Sequence, residues 1–310
     1  MRQTLRIGTR GSQLALTQSR WVQAALQRQY PDLAVELVTI KTTGDRFLDA
    51  PLSTIGGKGV FVKEIEDALT SGHVDCAVHS MKDVPTELAP GLVIAAIPPR
   101  EDARDTLISR ARVALQDLPH GARLGTSSLR RMALVRSQRH DLAVVALRGN
   151  VDTRLRKLDA GEIDAVVLAA AGLRRLGIAR TDVTFLDPQE FVPAIGQGAL
   201  AIESRDDATG ALLAGLDDGD TRIAVNAERA FLARVGGSCR TPLAAHATVS
   251  RGQVHLRALI ANPDGTQVVR GTQTSTASSA TDLGRELADE LLGRGGRGIL
   301  DALDAAAHGR

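Results

Sequence analysis

From residue 5 to residue 169, short apolar runs alternate with amphipathic stretches, and no other feature of the chain restricts its fold as much. Leu5–Arg10 alternates like a strand. Ser12 then offers an N-cap to a helix carrying Leu14, Trp21, Val22, Ala25 and Leu26 at helical spacing, which Pro31 stops. Ala34–Thr42, Val74–Val78 and Leu92–Ile97 read as further strands. A helix over 60–69 places Phe61, Ile65 and Leu69 on one face. The pattern resumes with a strand at 123–125, a helix over 128–138, a strand Leu142–Leu147, a helix over 151–159 and a strand Asp164–Ala169. Strands separated by single helices are joined by crossovers, and crossovers produce mostly parallel sheets.

Two segments interrupt the alternation. Pro98–Asp105 is polar, opens with two prolines and reads as a linker, and Pro193–Gly198 is a second Gly/Pro junction. A middle domain inserted between them gives a two-lobed clamshell with a cleft. Beyond residue 219 the pattern changes. Asp220 is placed to cap a helix to about Arg234. Strands Gln253–Ile260 and Gln267–Thr274 follow, joined by the turn Asn262-Pro-Asp-Gly, and then a helix near 280–292. Strands grouped before a helix indicate a small antiparallel α+β domain. The expected fold class is α/β, with two mostly parallel lobes and that small C-terminal domain. The boundaries are 1–98 with 198–217 for the first lobe, 104–193 for the second and 219–310 for the third domain. No internal sequence repeat is visible.

Composition narrows the function. Two cysteines, Cys76 and Cys239, are too few for a disulfide framework. No apolar run approaches the ~20 residues of a membrane span, and the N-terminus carries no secretory core, so a cytoplasmic protein is expected. A net charge of +2 and 2% aromatics disfavour nucleic acid, which needs basic surface and stacking rings. Of the 38 Lys and Arg residues only five are Lys, leaving 33 Arg. Biased coding composition accounts for that excess as well as function does, so position has to decide.

Position favours an anion site. The strands run into Arg10-Gly-Ser12, into Lys82-Asp83, into Thr126-Ser127-Ser128-Leu-Arg130-Arg131 and into Arg148-Gly-Asn-Val-Asp-Thr-Arg154. Ligands of parallel α/β sheets bind beyond the carboxyl ends of the strands, where helix N-termini favour anions. One such loop is ordinarily a helix cap, but four, most with Arg, indicate an anion-lined cleft. Arg130 and Arg131 oppose the helix dipole unless an anion sits beside them. Lys82-Asp83 is either a surface ion pair or a carboxylate turned to the cleft. Thr42–Gly59, with Lys58 among glycines, lacks the phosphate-loop spacing and reads as a mobile lid. Cys76 lies within an apolar strand and reads as core. Cys239, in Gly236-Gly-Ser-Cys239-Arg-Thr-Pro242, is either an incidental thiol or an accessible nucleophile. Cys76 and His79 make no convincing metal pair, and no metal site is expected.

Several segments in register resemble one family: Thr9–Leu16, Val78–Pro85, Gly125–Arg131, Leu147–Asn150 with Thr153–Leu155, Ala171–Leu176, Pro193–Gly198, and Glu228-Arg229 followed by Gly236–Pro242. Over nearly its whole length the chain is similar to the porphobilinogen deaminase family, also called hydroxymethylbilane synthases. Gly11, where the family often has Gln, and Ser238, inserted before the cysteine, leave every charged and nucleophilic group in place. The resemblance implies two periplasmic-binding-protein-like lobes plus a cysteine domain. It implies a dipyrromethane cofactor in thioether linkage to Cys239, onto which four porphobilinogen units are added with loss of ammonia before hydrolysis frees the linear tetrapyrrole. It assigns cofactor contacts to Lys82, Thr126, Ser127, Ser128, Arg130 and Arg131. It assigns substrate carboxylates to Arg10, Ser12, Arg148, Arg154 and Arg175, and catalysis to Asp83. Members are monomers, and a monomer is expected. The rival class is an anion-binding receptor or effector-sensing domain, which has no use for Cys239 or Asp83.

Overall fold

The computed structural model describes residues 4–42, 62–236 and 241–308. The expected lid beyond Thr42 and the nucleophile candidate Cys239 lie outside the described residues. In chain order the elements are β1 (Thr4–Thr9), α1 (Gln13–Gln29), β2 (Ala34–Thr39), α2 (Lys63–Thr70), β3 (Cys76–Ser80), β4 (Leu92–Ala96) and β5 (Asp105–Ser109). There follow β6 (Arg123–Gly125), α3 (Leu129–Gln138), β7 (Ala143–Val145), α4 (Val151–Asp159), β8 (Ala165–Ala169), α5 (Ala170–Arg175) and β9 (Val183–Phe185). The last are β10 (Leu200–Arg205), α6 (Thr209–Leu213), α7 (Gly219–Val235), β11 (Leu243–Ser250), β12 (Gln253–Ala261), β13 (Val268–Thr276), α8 (Ala280–Leu291) and α9 (Arg297–His308).

The chain divides into two compact units, 1–102 with 174–178 and 198–222, and 103–173 with 179–197 and 223–310. In the first, a sheet of order β2-β1-β3-β10-β4 has β1 parallel to β2 and β3, and β10 antiparallel to both of its neighbours. Ile7, Cys76, Val78 and Ile202 pack with Val22 and Leu26 of α1, while Ala77 and Leu92 meet Ile65 and Leu69 of α2 in a separate cluster. Helices on both faces bury the sheet on both sides, which is why its strands read as apolar runs.

The second unit repeats that architecture without repeating its sequence. Its sheet has the order β7-β6-β8-β5-β9, with β6 parallel to β7 and β8, and β5 antiparallel to β8 and β9. Each sheet therefore holds one reversed strand next to its last, the α/β lobe topology expected. A third sheet, β11-β12-β13, is antiparallel and packs Leu256, Ala258 and Ile260 against α7 and α8. Alternate residues of its strands, Ala244, Leu259 and Ala261, share the cluster of Ala133, Leu134 and Val135 of α3. The hairpin turn after β12 closes on α3: Arg136 donates to the Pro263 carbonyl at 3.1 Å. A Cβ on Gly265, whose φ is +76°, would stand 2.6 Å from the Ala133 carbonyl oxygen.

Three readings are corrected. The segment expected to be wholly a linker ends in β5, all of whose residues are buried in the middle of a sheet. Polar Asp105, Thr106 and Ser109 hid it, and they are buried because they are bonded; the Thr106 and Ser109 hydroxyls, for example, donate to the carbonyls of Leu168 and Val113. The cap of α7 is Asp218, whose carboxylate accepts from the Thr221 N–H at 2.8 Å, and Asp220 lies inside the helix. Trp21 is not on the buried face of α1 but 45% exposed. The strands β9, β10 and β11 and the helices α5, α6 and α9 add to what periodicity revealed.

Candidate active site

In the first unit, β1 runs into a half-buried Arg10, and the Ser12 hydroxyl accepts from the Ala15 N–H at 3.3 Å, capping α1. The strand β3 ends in a single 3-10 turn, Met81–Asp83. Met81 is buried beneath it, with its N–H on the Ala199 carbonyl, and the N–H of buried Val84 returns to the Met81 carbonyl. Lys82 and Asp83 are exposed on a turn clamped on both sides. Among the described residues the Asp83 carboxylate makes no hydrogen bond or ion pair. Beneath the turn, His79 Nε2 stands 2.9 Å from Glu203 Oε2, both side chains buried, and Gln18 donates to the Ser80 hydroxyl. Arg175, in the same unit, is half-buried and gives Nη2 to the Gly198 carbonyl at 2.6 Å. Burial brings its guanidinium down to about 10, with Glu101 opposing.

In the second unit, β6 leads into Thr126, Ser127 and Ser128. Each hydroxyl is used locally: Thr126 accepts from the Ser128 N–H, Ser127 donates to the Leu147 carbonyl, and Ser128 caps α3 by accepting from the Arg131 N–H. The two arginines of that helix turn inward. Arg130 Nη1 lies 2.7 Å from Asp105 Oδ2 and donates to the Val192 carbonyl. Arg131 gives Nε and Nη2 to Asp105 Oδ1, at 3.1 and 2.7 Å, and Nη1 to the Val167 carbonyl. Gln197 Nε2 donates to the same Oδ1 at 3.0 Å and to the Ala103 carbonyl. Asp105 is fully buried, and Arg130 and Arg131 are 5% and 6% exposed. Burial alone would raise the Asp105 carboxyl, but the two guanidiniums outweigh it and hold it well below the usual carboxylate range.

The anion foreseen beside Arg130 and Arg131 is thus first of all one of the chain's own. Its signal was missed because Asp105 lies 26 residues from Arg131, at the end of a charged run that resembles solvated linker. One carboxylate does not balance the cluster. Arg154, half-buried on α4, gives Nε to the Gly149 carbonyl at 2.9 Å and forms no ion pair among the described residues. Burial, and then the like charge of Arg131, bring its guanidinium down to about 10. Gly149, at φ +103°, makes the turn that presents that carbonyl beside a half-buried Arg148. The Arg130 Nε is buried without a hydrogen-bond partner. This end of the unit is a partly buried cationic cluster with a spare donor, suited to carboxylates. Cys76 is core: it is fully buried, and burial pushes its thiol up to about 12. Among the described residues no cluster of three or more His, Cys, Asp or Glu is placed to hold a metal.

An α/β protein with arginine-lined strand ends and a clamped, exposed carboxylate belongs to the class that handles anionic organic ligands. Comparison with known proteins makes the class definite. Residues 5–212 match the family model described as porphobilinogen deaminase, dipyromethane cofactor binding domain, and residues 222–293 that of the porphobilinogen deaminase C-terminal domain. A porphobilinogen deaminase of Syntrophotalea carbinolica is 52% identical over 302 residues, covering 97% of this chain and 96% of the relative. One from Roseiflexus sp. is 51% identical over 302 residues, covering 97% and 99%. The chain belongs to the porphobilinogen deaminase family. Among solved structures, the aliphatic sulphonate binding protein SsuA from Escherichia coli overlaps at TM-score 0.41 and 16% identity, covering 74% of this chain and 70% of that one. The BenM effector binding domain overlaps at 0.43 and 16%, covering 76% and 95%.

Proposed function

We propose that this chain is a hydroxymethylbilane synthase: a transferase that condenses four porphobilinogen units on a covalent dipyrromethane primer, releases ammonia at each addition and frees the tetrapyrrole by hydrolysis. The family membership supports the reaction. The unbalanced cationic cluster around Arg154 is the observation that best supports the ligand class, because each pyrrole carries an acetate and a propionate. The donor set fits such a group: Arg154 lacks a carboxylate, Arg130 keeps a spare Nε, and hydroxyls stand at the start of α3. When bound, the dipyrromethane supplies the nucleophilic pyrrole carbon at which the chain grows.

In this proposal Cys239 carries the group, in a C-terminal segment, 219–310, that acts as its carrier domain. Thr126, Ser127, Ser128, Arg130, Arg131 and Lys82 bind its carboxylates, Arg131 chiefly through the N–H groups that Asp105 and Val167 leave over. Arg10, Ser12, Arg148, Arg154 and Arg175 bind carboxylates of incoming porphobilinogen and the growing chain. Asp83 donates a proton to the leaving amine, and its carboxylate then faces the cation left on the substrate. The turn that carries it is held by buried neighbours, so the charge is placed without reorganisation. The enzyme acts as a cytoplasmic monomer without nucleic acid or membrane partners; no helix among the described residues is long and apolar enough to cross a membrane. Ammonia release from porphobilinogen by the purified full-length chain tests the reaction. Release with a stoichiometry of four per tetrapyrrole is expected, and none refutes it.

A further inference from the structure

Asp105 is a buried charge that the reaction as proposed does not use. It stands on β5, the reversed strand of its sheet, and both of its oxygens are engaged: Oδ2 by Arg130, Oδ1 by Arg131 through two nitrogens and by Gln197. A carboxylate between two guanidiniums is the arrangement that a carboxylate-binding site forms when loaded. Here the chain supplies it permanently. Without it, Arg130 and Arg131 would be two adjacent buried cations beside Arg154, which already feels Arg131 as a like charge. Such a cluster would splay its side chains toward water.

We propose that Asp105 is a positioning residue: it neutralises and aims Arg130 and Arg131 for capture of the primer's carboxylates, so that the remaining positive charge, centred on Arg154, is left for those of the substrate and the growing chain. Gln197 is the second part of the device. Its amide ties Oδ1 to the Ala103 carbonyl, the residue two before Asp105, and so fixes the rotation of the carboxylate. A ligand carboxylate that meets the cluster finds the guanidiniums already oriented and pays less ordering entropy on binding. Asp105 touches no ligand in this account and acts only through the arginines.

This inference rests on the proposed function, and its test separates the two. The full-length Asp105→Asn and Gln197→Leu variants are purified beside the wild type. Intact mass gives the fraction carrying a covalent adduct, steady-state kinetics give KM and kcat for porphobilinogen, and circular dichroism checks the fold. Asp105→Asn should carry adduct on fewer than about one molecule in ten, because its arginines lose their aim. Gln197→Leu keeps the charge and loses only the tie. It should load, with KM raised about five-fold or more and kcat within about two-fold, the signature of lost binding rather than lost chemistry. If Asp105→Asn does not fold, Gln197→Leu decides. Wild-type KM in Gln197→Leu, or wild-type loading in folded Asp105→Asn, overturns the proposal. A wild type that carries no adduct and releases no ammonia overturns the functional reading instead.

Discussion

Asp83 projects from a turn whose flanking residues, Met81 and Val84, are both buried, so its carboxylate is held while remaining open to a ligand. Replacing it with Asn keeps the shape but removes the proton and the charge. Asp83→Asn should fold normally and lose ~10²-fold or more in ammonia release, the scale of a missing general acid, while Asp83→Glu should retain more activity than Asn. Turnover near wild type in the Asn variant would reduce Asp83 to a surface charge. Cys76 makes the opposite case. Its thiol is pushed up to about 12 by burial, so it supplies no thiolate. Cys76→Ala should keep adduct and activity and cost about 1–2 kcal/mol in denaturant unfolding. At this scale the core place of Cys76 and the turn that carries Asp83 were legible in the sequence, because each sits in a short motif. The partner of Arg130 and Arg131 was not, because a buried ion pair between β5 and α3 leaves no periodic trace.

Three of the helices carry side-chain caps at their starts. Ser12, Ser128 and Asn150 each accept from a backbone N–H three residues on, and their spacing ahead of apolar positions marks each start. Ser128→Ala should lower stability by about 1 kcal/mol in chemical denaturation, on top of any effect on ligand. The strands that escaped notice were β5, β9, β10 and β11: β5 is polar where it is buried, β9 is three residues long, β10 follows a Gly/Pro junction, and β11 is rich in alanine. The turn after β12 was legible as Asn262-Pro-Asp-Gly, but not its docking on α3. There, a side chain at 265 needs a strained φ and meets backbone of the helix that carries Arg130 and Arg131. Gly265→Ala should destabilise by more than about 1 kcal/mol, more than the strained φ alone would cost at an exposed turn.

Over the whole molecule, the alternation of strand and helix foretold two mostly parallel sheets, and both are there. Their shared order, with one reversed strand each, was not foreseeable, since β10 and β5 pair with strands far away in sequence. The ion pairing of Asp105 on β5 carries a pH dependence. Asp105 has a folded pKa well below its unfolded value of about 3.9, so it contributes stability above that value and loses it as pH falls toward the folded one. The melting temperature should therefore drop as pH goes below about 4, and less steeply in Asp105→Asn than in the wild type. Parallel slopes would mean that Asp105 is not the group responsible. The central claim, that the arginine cluster serves a pyrrole primer carried by Cys239, is tested most directly by the intact mass of the purified chain beside its Cys239→Ser variant. The account predicts that the wild type is heavier than its sequence by two condensed porphobilinogen units and that the variant has its sequence mass. An unmodified wild type, or the same adduct on both proteins, would contradict it.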